Sequence, residues 1–193
     1  MTRAWRRRPV QLVVALVVLA IAAVTVAIVT TTGEDGALVT EVEAMVPVGP
    51  EPSGDKVALD VSVFSPEGEG RRAAVVLAHG FGGSKADLEG QARELAVEGY
   101  VVLTYTARGF GESGGLIHLN SPDYEIEDVS ALLDLLAARD DVQLDADGDP
   151  RVGIAGGSYG GAVALMAAAY DDRVDAIVPA ITWNDLGKSL FPQ

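Results

Sequence analysis

The chain has 193 residues, enough for one domain of ordinary size, and 49% hydrophobic residues with 22 glycines suit a globular α/β protein. The formal net charge of −14 is unevenly placed, because four of the 14 basic residues are arginines within the first eight positions. The rest of the chain carries 10 basic against 28 acidic residues, which would repel nucleic acid. The absence of cysteine excludes disulfides, thiolate metal sites and a cysteine nucleophile.

The N-terminal segment predicts a membrane anchor. A basic stretch, residues 1–9, precedes residues 10–30, which open with a 20-residue run in which only Gln11 and Thr25 are polar. Twenty helical residues span about 30 Å, the thickness of the hydrocarbon core of a bilayer. Arginines before the run and acidic residues after it place the N-terminus in the cytoplasm and the following chain outside. We therefore expect a single-pass signal anchor in the cell membrane; a cleaved signal peptide and a secreted protein are the alternative.

The rest of the chain divides into a linker and one domain. Residues 31–54 are interpreted as a linker that leads into a first edge strand, because prolines and glycines crowd its second half. Residues 55–193 alternate strands and helices, which indicates an α/β fold with a mostly parallel sheet and helices on both faces. The predicted order is strand 57–64, strand 73–78, helix 84–97, strand 100–105, helix 124–138, strand 151–155, helix 161–169 and strand 174–178.

The stretch 156–160 has the form G-x-S-x-G and lies between a predicted strand and a helix of small residues. In that setting the motif predicts a nucleophile elbow, with Ser158 projecting from a sharp turn. The glycines at positions 156 and 160 remove Cβ atoms that would clash in such a turn. We interpret Ser158 as the nucleophile of a serine hydrolase; the alternative is a glycine-rich turn that contains a serine.

A second glycine-rich stretch, residues 79–83 (HGFGG), follows the strand at 73–78. Acyl transfer generates an oxyanion, which two preorganised backbone N–H groups stabilise by several kcal/mol. In α/β-hydrolases one donor follows the third strand and the other follows the nucleophile. The expected donors here are the backbone amides of Phe81 and Tyr159. His79 precedes the serine and is expected to hydrogen-bond within its loop instead of acting as a base.

Two other patterns are interpreted as structural. Residues 109–114 fit the dinucleotide fingerprint G-x-G-x-x-G, but no helix begins until after Pro122, so we expect no cofactor. Asp145, Asp147 and Asp149 lack the glutamate that ends a calcium-binding EF-hand loop, and a solvated turn without a metal is expected.

The segments 108–115 (RGFGESGG) and 151–161 (RVGIAGGSYGG), with the helix around Asp128, resemble the X-Pro dipeptidyl-peptidase and acyl-esterase branch of the α/β-hydrolases, which includes cocaine-esterase-like proteins. The resemblance covers about residues 57–193, and the segment 178–185 also resembles the stretch that follows the elbow there. It implies a serine peptidase or esterase, an ester or peptide substrate and Ser158 as nucleophile. Many members carry a tyrosine in the oxyanion loop; this chain has Phe81, so only the backbone donor is carried over.

The hydrolase order is Ser, then Asp or Glu, then His, yet no histidine follows Ser158. Asp171, Asp172, Asp175 and Asp185 lie too near the elbow to be the triad acid. We therefore expect a C-terminally truncated hydrolase with little or no activity alone. His118 is the one conceivable substitute base. The alternative from another class is a membrane-anchored, non-catalytic binding or scaffold protein that keeps the hydrolase fold.

Overall fold

The computed structural model describes residues 29–32 and 38–191. The predicted basic segment 1–9 and nearly all of the predicted membrane segment 10–30 lie outside this range. The last two residues of that segment, Val29 and Thr30, begin strand β1 (Val29–Thr32). Within the described ranges, no helix has the length and apolar character needed to cross a membrane.

The described residues form one seven-stranded sheet, a short separate hairpin and helices. The strands are β1 (Val29–Thr32), β2 (Leu38–Val48), β3 (Val57–Pro66), β4 (Ala74–Ala78), β5 (Val101–Tyr105), β6 (Leu144–Ala146), β7 (Asp149–Pro150), β8 (Val152–Gly157) and β9 (Val174–Ala180). The α-helices are α1 (Glu89–Val97), α2 (Glu127–Ala137), α3 (Tyr159–Tyr170) and α4 (Leu186–Leu190). A 3₁₀ turn, Lys85–Leu88, precedes α1, and a π-helical turn, Pro122–Ile126, precedes α2.

The sheet has the strand order β1-β2-β3-β5-β4-β8-β9. The strands β5, β4, β8 and β9 are parallel, whereas β1, β2 and β3 are joined antiparallel to one side. Ala78 at the end of β4 lies opposite Tyr105 of β5 and Gly156 of β8. The carboxyl ends of these three strands therefore meet at one edge, where α/β proteins place their ligands.

The core lies on both faces of the sheet, as the continuous apolar runs of β4 and β5 predict. On one face, Leu77 and Val102 pack in a cluster with Ala92 and Ala96 of α1. On the other face, Leu103 belongs to a cluster with the buried sides of α2 and α3. Helices on both faces of a largely parallel sheet confirm the predicted α/β-hydrolase architecture.

The predicted linker 31–54 is corrected by the structure, because it contains the 11-residue strand β2. Pro47 lies within this strand and pairs with Ala58 of β3. On its other side β2 pairs with β1 only from Leu38 to Glu41. A proline is tolerated there because, among the described residues, only β3 pairs with the strand at that point and no second ladder needs the missing N–H.

Candidate active site

Ser158 lies between the end of β8 and the start of α3, at the carboxyl edge of the sheet. Its backbone has φ 53° and ψ −112°, a conformation that residues with a side chain rarely adopt. Two hydrogen bonds hold it: Ser158 N–H donates to the Ala180 carbonyl at 2.9 Å, and Ala162 N–H donates to the Ser158 carbonyl at 3.1 Å. The predicted sharp strand–turn–helix geometry is therefore present.

The glycines beside Ser158 let α3 approach β4. A Cβ on Gly156 would lie 2.7 Å from the Ala78 carbonyl oxygen and 2.6 Å from the Gly160 carbonyl carbon. A Cβ on Gly160 would overlap the same Ala78 oxygen and lie 2.9 Å from the His79 carbonyl oxygen. The turn that presents the serine thus depends on the absence of two side chains, as the motif predicts.

The loop that follows β4 lies beside this turn, because β4 and β8 are neighbours. His79 is buried, and its Nε2 accepts a hydrogen bond of 2.9 Å from the Ala107 N–H. Its Nδ1 therefore carries the proton and donates to the Gly80 carbonyl at 2.7 Å. Both ring nitrogens are engaged within the loops, which confirms the structural interpretation of His79. Burial lowers the pKa of His79 below its ordinary value and favours the neutral ring.

Phe81 and Tyr159, whose amides were expected to bind an oxyanion, stand side by side. Their ring centroids are 5.6 Å apart in an edge-to-face arrangement. Tyr159 is the first residue of α3, so its N–H has no acceptor within the helix. The structure therefore brings together the elbow and the loop that carries Phe81.

The Tyr159 side chain is buried, and motif analysis did not foresee its partners. Its hydroxyl lies 3.2 Å from Glu125 Oε1, to which it donates, and accepts a hydrogen bond from the Asn120 N–H. The Asn120 amide nitrogen donates to the Tyr159 carbonyl at 3.1 Å. Burial, together with the charge of Glu125, raises the pKa of Tyr159, so the phenol stays protonated. Glu125 and Asn120 lie 34 and 39 positions before Tyr159 in the chain, and no sequence motif predicts contacts over such separations.

A buried arginine ties the neighbouring loop to the rest of the domain. Arg108 makes a two-pronged ion pair with Asp128, whose Oδ2 lies 2.6 Å from Nε. The same guanidinium contacts Glu51 at 3.3 Å and donates to the Gly49 carbonyl at 3.1 Å. The resemblance singled out Arg108 and Asp128, whereas Glu51 lay in the supposed linker and was missed.

His118, the conceivable substitute base, contacts Glu51 and Tyr124. Its Nε2 lies 2.6 Å from Glu51 Oε2, and its ring stacks on Tyr124 at 3.8 Å. Its backbone N–H donates to Glu125 at 2.6 Å. Among the residues that the structure describes, none hydrogen-bonds to the Ser158 hydroxyl. The structure thus joins His118 to the buried ion-pair network and not to Ser158.

The two patterns that resembled ligand sites form turns. The Gly109 N–H donates to the Gly114 carbonyl at 2.9 Å, so residues 109–114 form a closed turn, and no helix starts between residues 109 and 121. Asp145 pairs with Arg151, and Asp147 lies exposed in the turn between β6 and β7. Within residues 29–32 and 38–191, no group of three or more carboxylate, imidazole or thiol side chains is arranged to hold a metal ion.

The geometry agrees with the comparisons to known proteins. Residues 54–193 match the family described as X-Pro dipeptidyl-peptidase (S15 family), and this chain belongs to that family. It is 32% identical over 133 residues to the uncharacterized protein PA2218 of Pseudomonas aeruginosa, a match over 68% of this chain and 34% of that protein. It is 31% identical over 116 residues to a bis(hydroxyethyl) terephthalate hydrolase of Streptomyces coelicolor, covering 60% of this chain and 34% of the relative.

Solved structures agree on the fold. The crystal structure of PA2218 superposes with a TM-score of 0.58 at 29% identity, over 76% of this chain and 44% of that one. An acetyl xylan esterase from Paenibacillus sp. R4 superposes with a TM-score of 0.59 over 82% of this chain and 53% of the esterase, and at 21% identity this likeness shows the fold alone. The chain spans about a third to two fifths of the curated relatives that it matches, from 33% of the Escherichia coli protein YcjY to 41% of another Escherichia coli protein.

The contact between α3 and β4 gives a first prediction. Gly160→Ala should destabilise the fold by about 3 kcal/mol, the upper end of the cost of overpacking, because the new methyl overlaps the Ala78 carbonyl. Gly90→Ala is the matched control, since Gly90 lies in α1 with nothing within 4 Å of the added Cβ, and it should stabilise the fold by about 0.5–1 kcal/mol. Urea unfolding measures both, and a Gly160→Ala variant as stable as Gly90→Ala would contradict the predicted contact.

The buried imidazole gives a prediction about pH. Because burial lowers the pKa of His79, the unfolded chain binds this proton more readily than the folded chain does. The contribution of His79 to stability is therefore complete above about pH 6.5, the ordinary histidine pKa, and is lost as the pH falls below it. Unfolding free energies between pH 8 and 5 should decline less steeply for His79→Gln than for the wild type. His118→Gln is the control and should show the same decline in unfolding free energy with falling pH as the wild type, because it keeps His79. The prediction is refuted if the unfolding free energy of His79→Gln declines as steeply with falling pH as that of the wild type.

Proposed function

We propose that this chain carries the nucleophile of a serine hydrolase that forms an acyl-enzyme on Ser158. The observation that carries the proposal is the strained φ of 53° at Ser158, held between β8 and α3 beside the β4 loop. Such strain persists only where the surrounding structure enforces it, and it is concentrated at functional sites. The first turn of α3 has free N–H groups and a positive dipole end, which favour the negative charge that develops beside the serine.

The proposed chemistry begins with attack of Ser158 Oγ on the carbonyl carbon of the substrate. The electron pair of the carbonyl moves to its oxygen, and the backbone N–H groups of Phe81 and Tyr159 bind the resulting oxyanion. Collapse of this intermediate expels the alcohol or amine and leaves the acyl group on Ser158. Water then hydrolyses the acyl-enzyme and restores the serine. A base must accept the serine proton in the first step and return it to the leaving group.

We further propose that the base and acid are supplied by residues outside this sequence, and that these 193 residues are the N-terminal part of the enzyme. The chain has two histidines; His79 uses both nitrogens in its loop, and His118 bonds to Glu51. Strand β9 lies at the edge of the described sheet, and its Val178 is 66% exposed. An exposed apolar edge strand is suited to pairing with further polypeptide.

A carboxylic ester is the substrate class that we propose. The relative from Streptomyces coelicolor bears an ester-hydrolase name, although the family as a whole is described by a peptidase activity. Phe81 stands where many members of the X-Pro dipeptidyl-peptidase and acyl-esterase branch carry a tyrosine, so the loop offers its backbone N–H but no side-chain donor. Ester hydrolysis needs less help to the leaving group than amide hydrolysis does, because an alkoxide leaves more readily than an amide ion.

A fluorophosphonate probe tests the nucleophile. The 193-residue chain should react slowly or not at all, because loss of the base lowers reactivity by on the order of 10⁶-fold. The DNA downstream of codon 193 should continue in frame and encode an Asp or Glu and a His. The chain extended by that sequence should be labelled on Ser158, and Ser158→Ala should abolish labelling while the exposed control Ser53→Ala keeps it.

Two outcomes would contradict this proposal. Labelling of the 193-residue chain that disappears in His118→Ala would make His118 the base. A genuine stop at codon 193, with a stable, folded and unlabelled chain, would favour the second candidate, a non-catalytic binding or scaffold protein. The engagement of both histidines in structural contacts is the observation that favours this second candidate.

We also propose that residues 10–28, the part of the predicted segment 10–30 that precedes strand β1, anchor the domain in the cell membrane with the rest of the chain outside the cytoplasm. The 20-residue apolar run and the arginines before it support this placement. The full chain should sediment with membranes and resist carbonate extraction, whereas a chain that starts at residue 31 should remain in the supernatant. A mature N-terminus near residue 33 would favour a cleaved signal peptide instead.

A further inference from the structure

Four aromatic rings meet at the edge of the sheet where the elbow lies. His79, Phe110 and Tyr159 are buried, with exposed fractions of 3%, 8% and 2%, whereas Phe81 is 61% exposed. Phe81 contacts Phe110 at 5.2 Å and Tyr159 at 5.6 Å between centroids, and His79 contacts Phe110 at 5.4 Å. One ring of the cluster is therefore presented to solvent while the other three support it.

The supporting rings are fixed, so the exposed ring has a defined position. The Tyr159 hydroxyl is bound between Glu125 and Asn120, and both nitrogens of His79 are bound within the loops. Phe81 stands edge-to-face on two of these rings, at interplanar angles of 89° and 77°. Edge-to-face pairs are the preferred geometry of aromatic rings, and two of them from different elements restrict the rotamer of Phe81.

The position of Phe81 in the chain puts this ring next to the proposed reaction. Its own N–H is the proposed donor to the oxyanion, so a substrate carbonyl bound there lies within a few ångströms of the side chain. The neighbouring residues 80, 82 and 83 are glycines, which makes Phe81 the one side chain that the loop offers between His79 and Ser84. Exposed apolar residues, Leu116 and Ile117, lie in the loop that carries Phe110.

We propose that Phe81 is a specificity-determining residue, whose exposed ring binds a planar aryl group of the ester substrate. An aromatic pair gains free energy beyond the burial of apolar area, which a saturated ring of the same size does not. The side chain has no hydroxyl, so it selects by shape and π contact. This inference rests on the proposed function, because the amide of Phe81 brings the substrate to the ring.

Ligand-detected saturation-transfer NMR tests the proposal with a matched pair of esters, phenyl acetate and cyclohexyl acetate. The full chain with Ser158→Ala keeps both esters intact during the titration, and the wild-type chain is measured beside it. Phenyl acetate should bind roughly two- to tenfold more tightly than cyclohexyl acetate, as expected for one added aromatic pair. Phe81→Tyr should keep this preference, and Phe81→Leu, which retains apolar bulk but no ring, should lose it. Thermal unfolding of each variant establishes that the fold is intact.

Three results would overturn the assignment. The chain that keeps Phe81 could bind the two esters equally, or Phe81→Leu could retain the preference for phenyl acetate. Either result would show that Phe81 does not select an aryl group. Tighter binding of acetylcholine than of phenyl acetate would make the ring a cation site instead. The binding experiment does not depend on the nucleophile. If Phe81→Leu loses the preference for phenyl acetate, the role of Phe81 is supported even when the fluorophosphonate does not label Ser158. A failure to label Ser158 would contradict the proposed function and not the role of Phe81.

Discussion

The close approach of helix α3 to the carboxyl end of β4 is the contact on which the candidate site depends. Gly160 packs so tightly on the Ala78 carbonyl that no side chain fits between them, and Gly156 is restricted by the same oxygen. This contact sets the direction in which α3 leaves the sheet. It also forces Ser158 into its unusual backbone conformation and brings Tyr159 against the ring of Phe81. Glycine at these positions is therefore a requirement of packing before it is a feature of catalysis.

Around this contact, charged groups hold the loops that border the site. Arg108 draws together Asp128 from α2 and Glu51 from the connection between β2 and β3. Glu51 in turn accepts hydrogen bonds from His118 and from the Leu116 N–H, and these bonds outweigh burial and lower the pKa of its carboxyl. The N-terminal antiparallel strands are thus fastened to the parallel half of the sheet by ion pairs as well as by the apolar core. Ion pairs of this kind fix a geometry more than they add stability.

Features that depend on neighbours in sequence were predictable, and those that depend on distant contacts were not. Local patterns predict the elbow around Ser158, the buried strands β4 and β5 and the structural role of His79, and the structure agrees with each prediction. Strand β2 was missed because Pro47 indicated a linker; the proline is acceptable because β3 is the one described strand that pairs with β2 at that position. Glu125 and Glu51 were missed because their partners lie 34 and 57 positions away. The spacing of residues along the sequence does not predict contacts between residues so far apart.

The backbone of Ser158 carries a further implication for how this chain changes over generations. A non-glycine residue in this conformation costs on the order of 1–3 kcal/mol, a sizeable part of the marginal stability of a domain. Glycine would relieve that cost, and a single base change converts some serine codons to glycine. A lineage released from selection for the hydroxyl would therefore drift toward glycine at position 158 and become more thermostable. If Ser158 is the proposed nucleophile, selection for its hydroxyl acts against the stability of the fold.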